Sequence, residues 1–155
     1  MRLIFHRNFY YKMKIWKHEL SLEGLNASGK GTIGELIGIE FIDFGDDFLT
    51  AKMPVDERTI QPMRQLHGGA SVVLAETLGS VASLLCLEDW TKQAAVGLEV
   101  NANHLSPGRF GTYVIGTVKP VRVGKTVHVW NIEIKTPAGK LVCVSRLTTA
   151  IIGLS

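Results

Sequence analysis

The chain has 155 residues, 46% hydrophobic and 20% charged, with a formal net charge of +3 at pH 7. That is the size and composition of one globular domain with its own core, and it excludes a long disordered or fibrous chain. Lys and Arg are scattered, with no basic run and no basic–aromatic alternation, which argues against a nucleic-acid partner, and no apolar stretch approaches the ~20 residues of a membrane-spanning helix.

Residues 1–12 are basic and aromatic, without the apolar centre and small-residue cleavage site of a signal peptide. Met13 opens a more regular pattern, so residues 1–12 read as an extension outside the fold and 13–155 as the domain. Ser21 ahead of Leu22 and Leu25, closed by Gly29 and Gly31, predicts a short capped helix over 21–29. Thr32-x-x-Glu35 has the form of a capping box for a second helical turn. Residues 37–44 and 47–55 are rich in strand formers and flank Gly45-Asp46, which predicts a hairpin. Residues 56–66 read as loop.

The strongest helical signal runs over residues 68–87. Ala70, Val73, Leu74, Thr77, Leu78, Val81, Ala82 and Leu85 recur at helical spacing, and the segment is apolar nearly all round, so it should be buried on most sides. After a polar loop, residues 95–104, 111–121, 126–136 and 140–152 read as strands. Pro107-Gly108, Val123-Gly124-Lys125 and Pro137-Ala138-Gly139 mark the turns between them. Connections this short imply an antiparallel sheet. The expected architecture is α+β: one long apolar helix wrapped by a curved antiparallel sheet. Cys86 and Cys143 belong to no CxxC or zinc spacing, and read as reduced core residues, which suits the cytoplasm.

Glu76 is the residue most suggestive of chemistry. It lies mid-helix, with no Lys or Arg between Arg64 and Lys92, so no helical ion pair at three or four residues is available. A carboxylate buried without a partner is costly, and such a group is suited to act as base or nucleophile. His67-Gly68-Gly69-Ala70 stands at the helix entrance, where free N–H groups and the positive end of the dipole favour a developing oxyanion. From His67 to Glu76 the rise is about 13 Å. One helix start and its own Glu76 are therefore too far apart to grip one small group, and the spacing points to a site built across a dimer interface. Gln61, in the loop before the helix, and Ser80, one turn beyond Glu76 on the same face, complete the candidates. GxSxG, P-loop and GxGxxG patterns are absent, and the histidines show no metal spacing.

Several strings occur together and in order: MPVD at 53–56, Arg58-Thr59, Gln61-Pro62, LHGGASVVLAE at 66–76, GSVA at 79–82, VGLEVNANH at 96–104 and SRLTTA at 145–150. This set closely resembles the hotdog-fold thioesterases of the 4-hydroxybenzoyl-CoA thioesterase group that carry a Glu on the central helix, from about Met13 to Ile152. It is most similar to members serving menaquinone synthesis, with members that proofread enterobactin synthesis close by. The resemblance implies hydrolysis of an aromatic acyl-CoA, 1,4-dihydroxy-2-naphthoyl-CoA first, in a cytoplasmic homotetramer of hotdog dimers. No cofactor is implied, since coenzyme A is part of the substrate. It makes Glu76 the catalytic carboxylate, as nucleophile or as base for water. It gives Gly68 N–H the role of polarising the thioester carbonyl, and has Gln61, His67 and Ser80 assist. Its coenzyme A contacts fall on Gly97, on His104, Leu105, Ser106 and Pro107, and on Arg122, Val123, Gly124, Lys125, Thr126 and Val127, with Arg122 and Lys125 suited to phosphates. Relatives often carry Arg where Ser106 stands, with Arg109 nearby as a substitute, and Phe-Gly where Met63-Arg64 stands, in a segment expected to line the acyl pocket. Alternatives are a thioesterase that clears wrong acyl groups from an aryl carrier protein, a non-catalytic acyl-CoA-binding hotdog module, and a hotdog dehydratase.

Overall fold

The structure, a computed structural model, describes residues 14–154, so the reading of residues 1–12 as an extension lies outside the described residues. Helix α1 (Leu22–Ser28) is capped by the Ser21 hydroxyl, which accepts the Gly24 N–H at 3.0 Å. Helix α2 (Ile33–Leu36) is capped by Thr32, whose hydroxyl accepts the Gly34 N–H. The capping box differs from expectation: the Thr32 N–H already donates to Gly29, so the Glu35 carboxylate takes the Gly31 N–H instead, at 2.7 Å.

Strands β1 (Glu40–Phe44) and β2 (Leu49–Val55) form the expected hairpin. β1 starts three residues later than its composition suggests, because α2 runs to Leu36 and Gly38 then turns the chain at φ 76°. Helix α3 (Gly68–Leu85) follows, then β3 (Gln93–His104), β4 (Thr112–Val123), β5 (Val127–Lys135) and β6 (Leu141–Gly153). The six strands form one antiparallel sheet in the order β1-β2-β4-β5-β6-β3. Despite their short connection, β3 and β4 do not pair. The loop between them is held elsewhere: Leu105 N–H donates to Val142 and Leu66 N–H to Gly108. β3 is thus left at the edge, paired to β6 on one side only.

α3 packs across one face of the sheet, against β2 to β6. Leu74, Ala75, Leu78 and Ala82 pack against Met53, Val55, Val114, Val118, Trp130, Ile132 and Leu147 in one core. The approach is close, since a Cβ on Gly116 would lie 2.7 Å from Leu78 and one on Gly79 2.5 Å from Leu147. A buried polar chain crosses the layers: the indole N–H of Trp130 donates to Ser83 at 2.6 Å, and Ser83 bonds Thr149 at 2.8 Å. That satisfies groups which would be costly to leave unpaired.

Two expectations need correction. α3 is long and apolar enough, by length and composition, to pass for a membrane span, although here it is the core helix of the sheet. It is also not buried on most sides. Leu74, Leu78 and Ala82 are covered, whereas Val72, Val73, Glu76, Thr77, Ser80 and Val81 stay half-exposed because the sheet reaches only one side of the helix. Cys86 and Cys143 are free and buried, and burial pushes the Cys86 thiol up to about 12, so neither offers a ready thiolate.

Candidate active site

The start of α3 provides the first part of the site. His67 is the N-cap, and its Nδ1 accepts the Gly69 N–H at 2.8 Å, which leaves the ring proton on Nε2. Gly68 is the first helical residue. Its N–H has no intrahelical acceptor by position and no hydrogen-bond partner among the described residues. A Cβ there would lie 2.8 Å from Nε2 of His104, so glycine lets the end of β3 close over the helix entrance. A cavity of about 400 Å³ opens here, lined by Gln61, Gly68, Ser71, His104, Leu105, Ser106 and Pro107 among others.

Gln61 is held by a tight turn. Its N–H donates to Gln65, its carbonyl accepts from Arg64, and its side-chain oxygen accepts from Met63 N–H. The carboxamide NH₂ is therefore the end left for a ligand. Arg64 has φ 56°, a conformation that favours glycine, and its guanidinium sits 3.9 Å above the Phe110 ring. Met63 is 76% exposed in the single chain. His67 departs from its expected company. It borders a separate cavity of about 300 Å³ with Ile33, Ile37, Ile60 and Val73, because its ring is turned to cap the helix.

Glu76 is the second part. It is half-exposed rather than buried, since the helix stripe it occupies is the open one. The Ser80 hydroxyl donates to its Oε1 at 3.1 Å, so Ser80 faces the carboxylate as expected from spacing. Gly97 of β3 lies on the other side of the same oxygen. Eight residues separate Gly68 from Glu76, about 12 Å of rise along the helix.

The turn between β4 and β5 is the third part. Arg122, Val123, Gly124 and Lys125 line a cavity of about 660 Å³ with Lys17, Gln93 and His128. Thr126 and Val127 continue the turn without lining it; the Thr126 carbonyl accepts from Ile151 N–H. Lys17 is paired with Glu88 at 2.6 Å, and that hydrogen bond holds its ammonium above the ordinary lysine range. His128 is buried, with Nδ1 lacking a hydrogen bond, and burial lowers its pKa against a smaller opposing pull from the Gly124 backbone.

One chain therefore does not unite the expected residues. Gln61, Gly68 and residues 104–107 share one cavity, Arg122 to Lys125 another, and Glu76 with Ser80 and Gly97 lies between. Ser106 donates to the Leu141 carbonyl and cannot stand in for a cation; Arg109 is exposed on the same loop. Lys17, Ser71, Gln93 and His128 were not anticipated. Only His128 had a readable signal, its phase with Trp130 and Ile132 on β5. Among the described residues no three His, Cys, Asp or Glu side chains gather as a metal site would require.

The family model described as Thioesterase superfamily matches residues 64–143. The chain is 54% identical to the 1,4-dihydroxy-2-naphthoyl-CoA hydrolase of Escherichia coli, over 89% of this chain and 99% of the relative. It is 46% identical to the proofreading thioesterase EntH of Cronobacter turicensis, over 90% and 99%. The crystal structure of a thioesterase PA1618 mutant from Pseudomonas aeruginosa superposes with a TM-score of 0.86 at 51% identity, covering 90% of this chain and 99% of that one. With a long helix laid in a six-stranded antiparallel sheet and relatives of this similarity along nearly their whole length, the chain belongs to the thioesterase superfamily and has its hotdog fold.

Proposed function

We propose that the protein hydrolyses aromatic acyl-CoA thioesters to the free acid and coenzyme A, with 1,4-dihydroxy-2-naphthoyl-CoA as the first substrate to test, and that its working unit is a homodimer. The observation that carries this reading is a pair of groups, the Gly68 N–H left without an acceptor at the α3 entrance and the Glu76 carboxylate anchored by Ser80, too far apart to meet within one chain.

The free edge of β3 supplies the geometry that would join them. It is twelve residues long, with Val96 and Leu98 exposed on it. Such an edge is a template for pairing, and an isologous two-fold contact pairs it antiparallel with its copy. The start of one β3, at Gln93 beside Arg122 and Lys125, then meets the end of the other, at His104 beside Gln61 and Gly68. Two half-cavities become one, cationic at one end for the coenzyme A phosphates. The half-exposed stripe of Val72, Val73 and Thr77 would be covered by the partner's α3.

In that site Gly68 N–H holds the thioester oxygen as negative charge grows on it, and the amide NH₂ of Gln61 is a second donor at the rim. The partner's carboxylate either takes a proton from water, whose oxygen bonds the carbonyl carbon, or attacks that carbon itself to give an anhydride that water opens. In both routes the C–S bond breaks and the thiolate leaves with a proton. The reading calls on no cofactor, has the domain begin at Met13, and includes a cytoplasmic enzyme assembled as a dimer of dimers. A thiol-release assay across aryl- and alkyl-CoAs tests it: aryl-CoAs should turn over fastest and Glu76→Ala should abolish turnover. Undiminished turnover in that variant sinks the mechanism, and inertness toward every thioester sinks the function.

The similarity to EntH favours one second reading, release of wrong acyl groups from an aryl carrier protein. Faster turnover of carrier-bound than of CoA-bound acyl groups would select it.

A further inference from the structure

Gly97 occupies an interior position of β3, where glycine weakens a strand and some reason for it is required. Backbone conformation is not the reason, because Gly97 is absent from the glycines with positive φ. Space is. A Cβ on Gly97 would lie 2.5 Å from Oε1 of Glu76, 3.4 Å from Cδ and 3.7 Å from Oε2, and no other residue comes as near. Any side chain at 97 would have to push the carboxylate off the strand. The register shift between Gly97 and Glu99 marks the same spot as a bulge, a device that re-aims neighbouring groups. Ser80 approaches Oε1 from the helix side at 3.1 Å, whereas Oε2 has no hydrogen-bond partner among the described residues.

We propose that Gly97 is a positioning residue, the seat that fixes Oε1 of Glu76 between β3 and Ser80 and leaves Oε2 as the oxygen that reacts. This rests on the thioesterase reading above and departs from the role the family resemblance gives Gly97. A contact with coenzyme A would place the effect of a substitution in KM. A seat for the carboxylate places it in kcat, because substrate binding is untouched while the reacting oxygen is displaced.

The test joins kinetics to thermal unfolding in Gly97→Ala, Glu76→Ala, Glu76→Asp and the double variants, all on the full chain with benzoyl-CoA as probe. Gly97→Ala should lower kcat by about 100-fold, the scale of a 1 Å misplacement, with KM little changed. Aspartate is one methylene shorter and clears the added methyl, so Gly97→Ala in the Glu76→Asp background should cost little further activity. Gly97→Ala should raise Tm less in the wild-type chain than with Glu76→Ala, where the methyl meets empty space and alanine suits the strand better than glycine. An unchanged kcat, a rise confined to KM, or the same Tm change in both backgrounds would each overturn the proposal. If the wild-type chain cleaves no thioester, the thioesterase reading fails, and the paired Tm differences still decide whether Gly97 seats the carboxylate.

Discussion

Subunit mixing gives the sharpest test of a site completed across β3. One parent is Glu76→Ala. The other is Gly68→Pro, which deletes the N–H proposed to hold the oxyanion. Proline is tolerated at the first helical position, and His67, with ψ 133°, already has the extended backbone that precedes proline. Gly68→Ala is its control. It adds the same Cβ, 2.8 Å from His104, but keeps the donor. The loss in Gly68→Pro beyond that in Gly68→Ala should be about 10²–10³ in kcat, the usual effect of one oxyanion donor. Within one chain, donor and carboxylate are separated by about 12 Å of helix rise. A reacting carbonyl spans only about 7 Å between them: about 2.9 Å to the donor, about 1.2 Å of C=O and about 3 Å to the attacking oxygen. The two mutations therefore damage opposite halves of each site. Random reassociation makes about half the dimers mixed, each with one intact site, so the mixture should recover about a quarter of wild-type activity. A steady-state thiol-release assay on co-refolded, size-selected protein measures it. Activity no higher than the mean of the parents would refute the crossed site.

Three further outcomes follow from observed contacts. Ser80→Ala removes the hydroxyl 3.1 Å from Glu76 Oε1; at a half-exposed position the loss should be about 1.4 kcal/mol, a tenfold fall in kcat with KM unchanged, read by Michaelis kinetics. Ser83→Ala leaves the Trp130 indole N–H and the Thr149 hydroxyl unpaired in the core; about 2–4 kcal/mol of stability and ~5–15 °C of Tm should be lost, read by calorimetry. His128 is held by burial below its ordinary 6.5, so the unfolded chain binds the proton first as pH falls. Stability should be full above that value, decline as pH drops from 6.5 toward the depressed value, and be flatter in His128→Asn; Asp56 and Asp89, held below 3.8 by hydrogen bonds from Arg58 and Thr91, add their own loss only in stronger acid. A Tm series from pH 7.5 to 5 separates the histidine from the carboxylates.

Local chemistry made most elements legible. Ser21 and Thr32 cap helices where their spacing says they should, and the spacing of Leu74, Leu78 and Ala82 marks the buried face of α3. What local pattern could not give was pairing. The short link from β3 to β4 suggested neighbours, yet hydrogen bonds from Leu105 to Val142 and from Leu66 to Gly108 carry the chain over the helix entrance and across the sheet. Nothing in residues 105–111 announces those partners. The site divides the same way. Ser80 beside Glu76 follows from a spacing of four, and the distance to Gly68 from helix rise. Gly97 beside Glu76 joins a strand to a helix across the fold, and only the folded chain reveals that contact.

The largest mismatch is also the most informative. Composition says α3 is covered nearly all round, and the single chain covers one side. Val96 and Leu98 are large apolar residues of a strand, and both lie exposed at an edge. Apolar patterning records burial in the working assembly, and a lone protomer displays only the part its own sheet supplies. On the proposed pairing the open stripe of α3 and the open edge of β3 are one surface, so the same contact that hides Val72, Val73 and Val96 also brings Glu76 to a partner's Gly68. Burial and catalysis then depend on a single interface. A substitution that breaks it, such as Leu98→Lys at its centre, should cut activity and dimer content in proportion, as concentration-dependent kinetics alongside sedimentation would report. Monomers retaining full turnover would separate the two roles and remove the argument for the second chain.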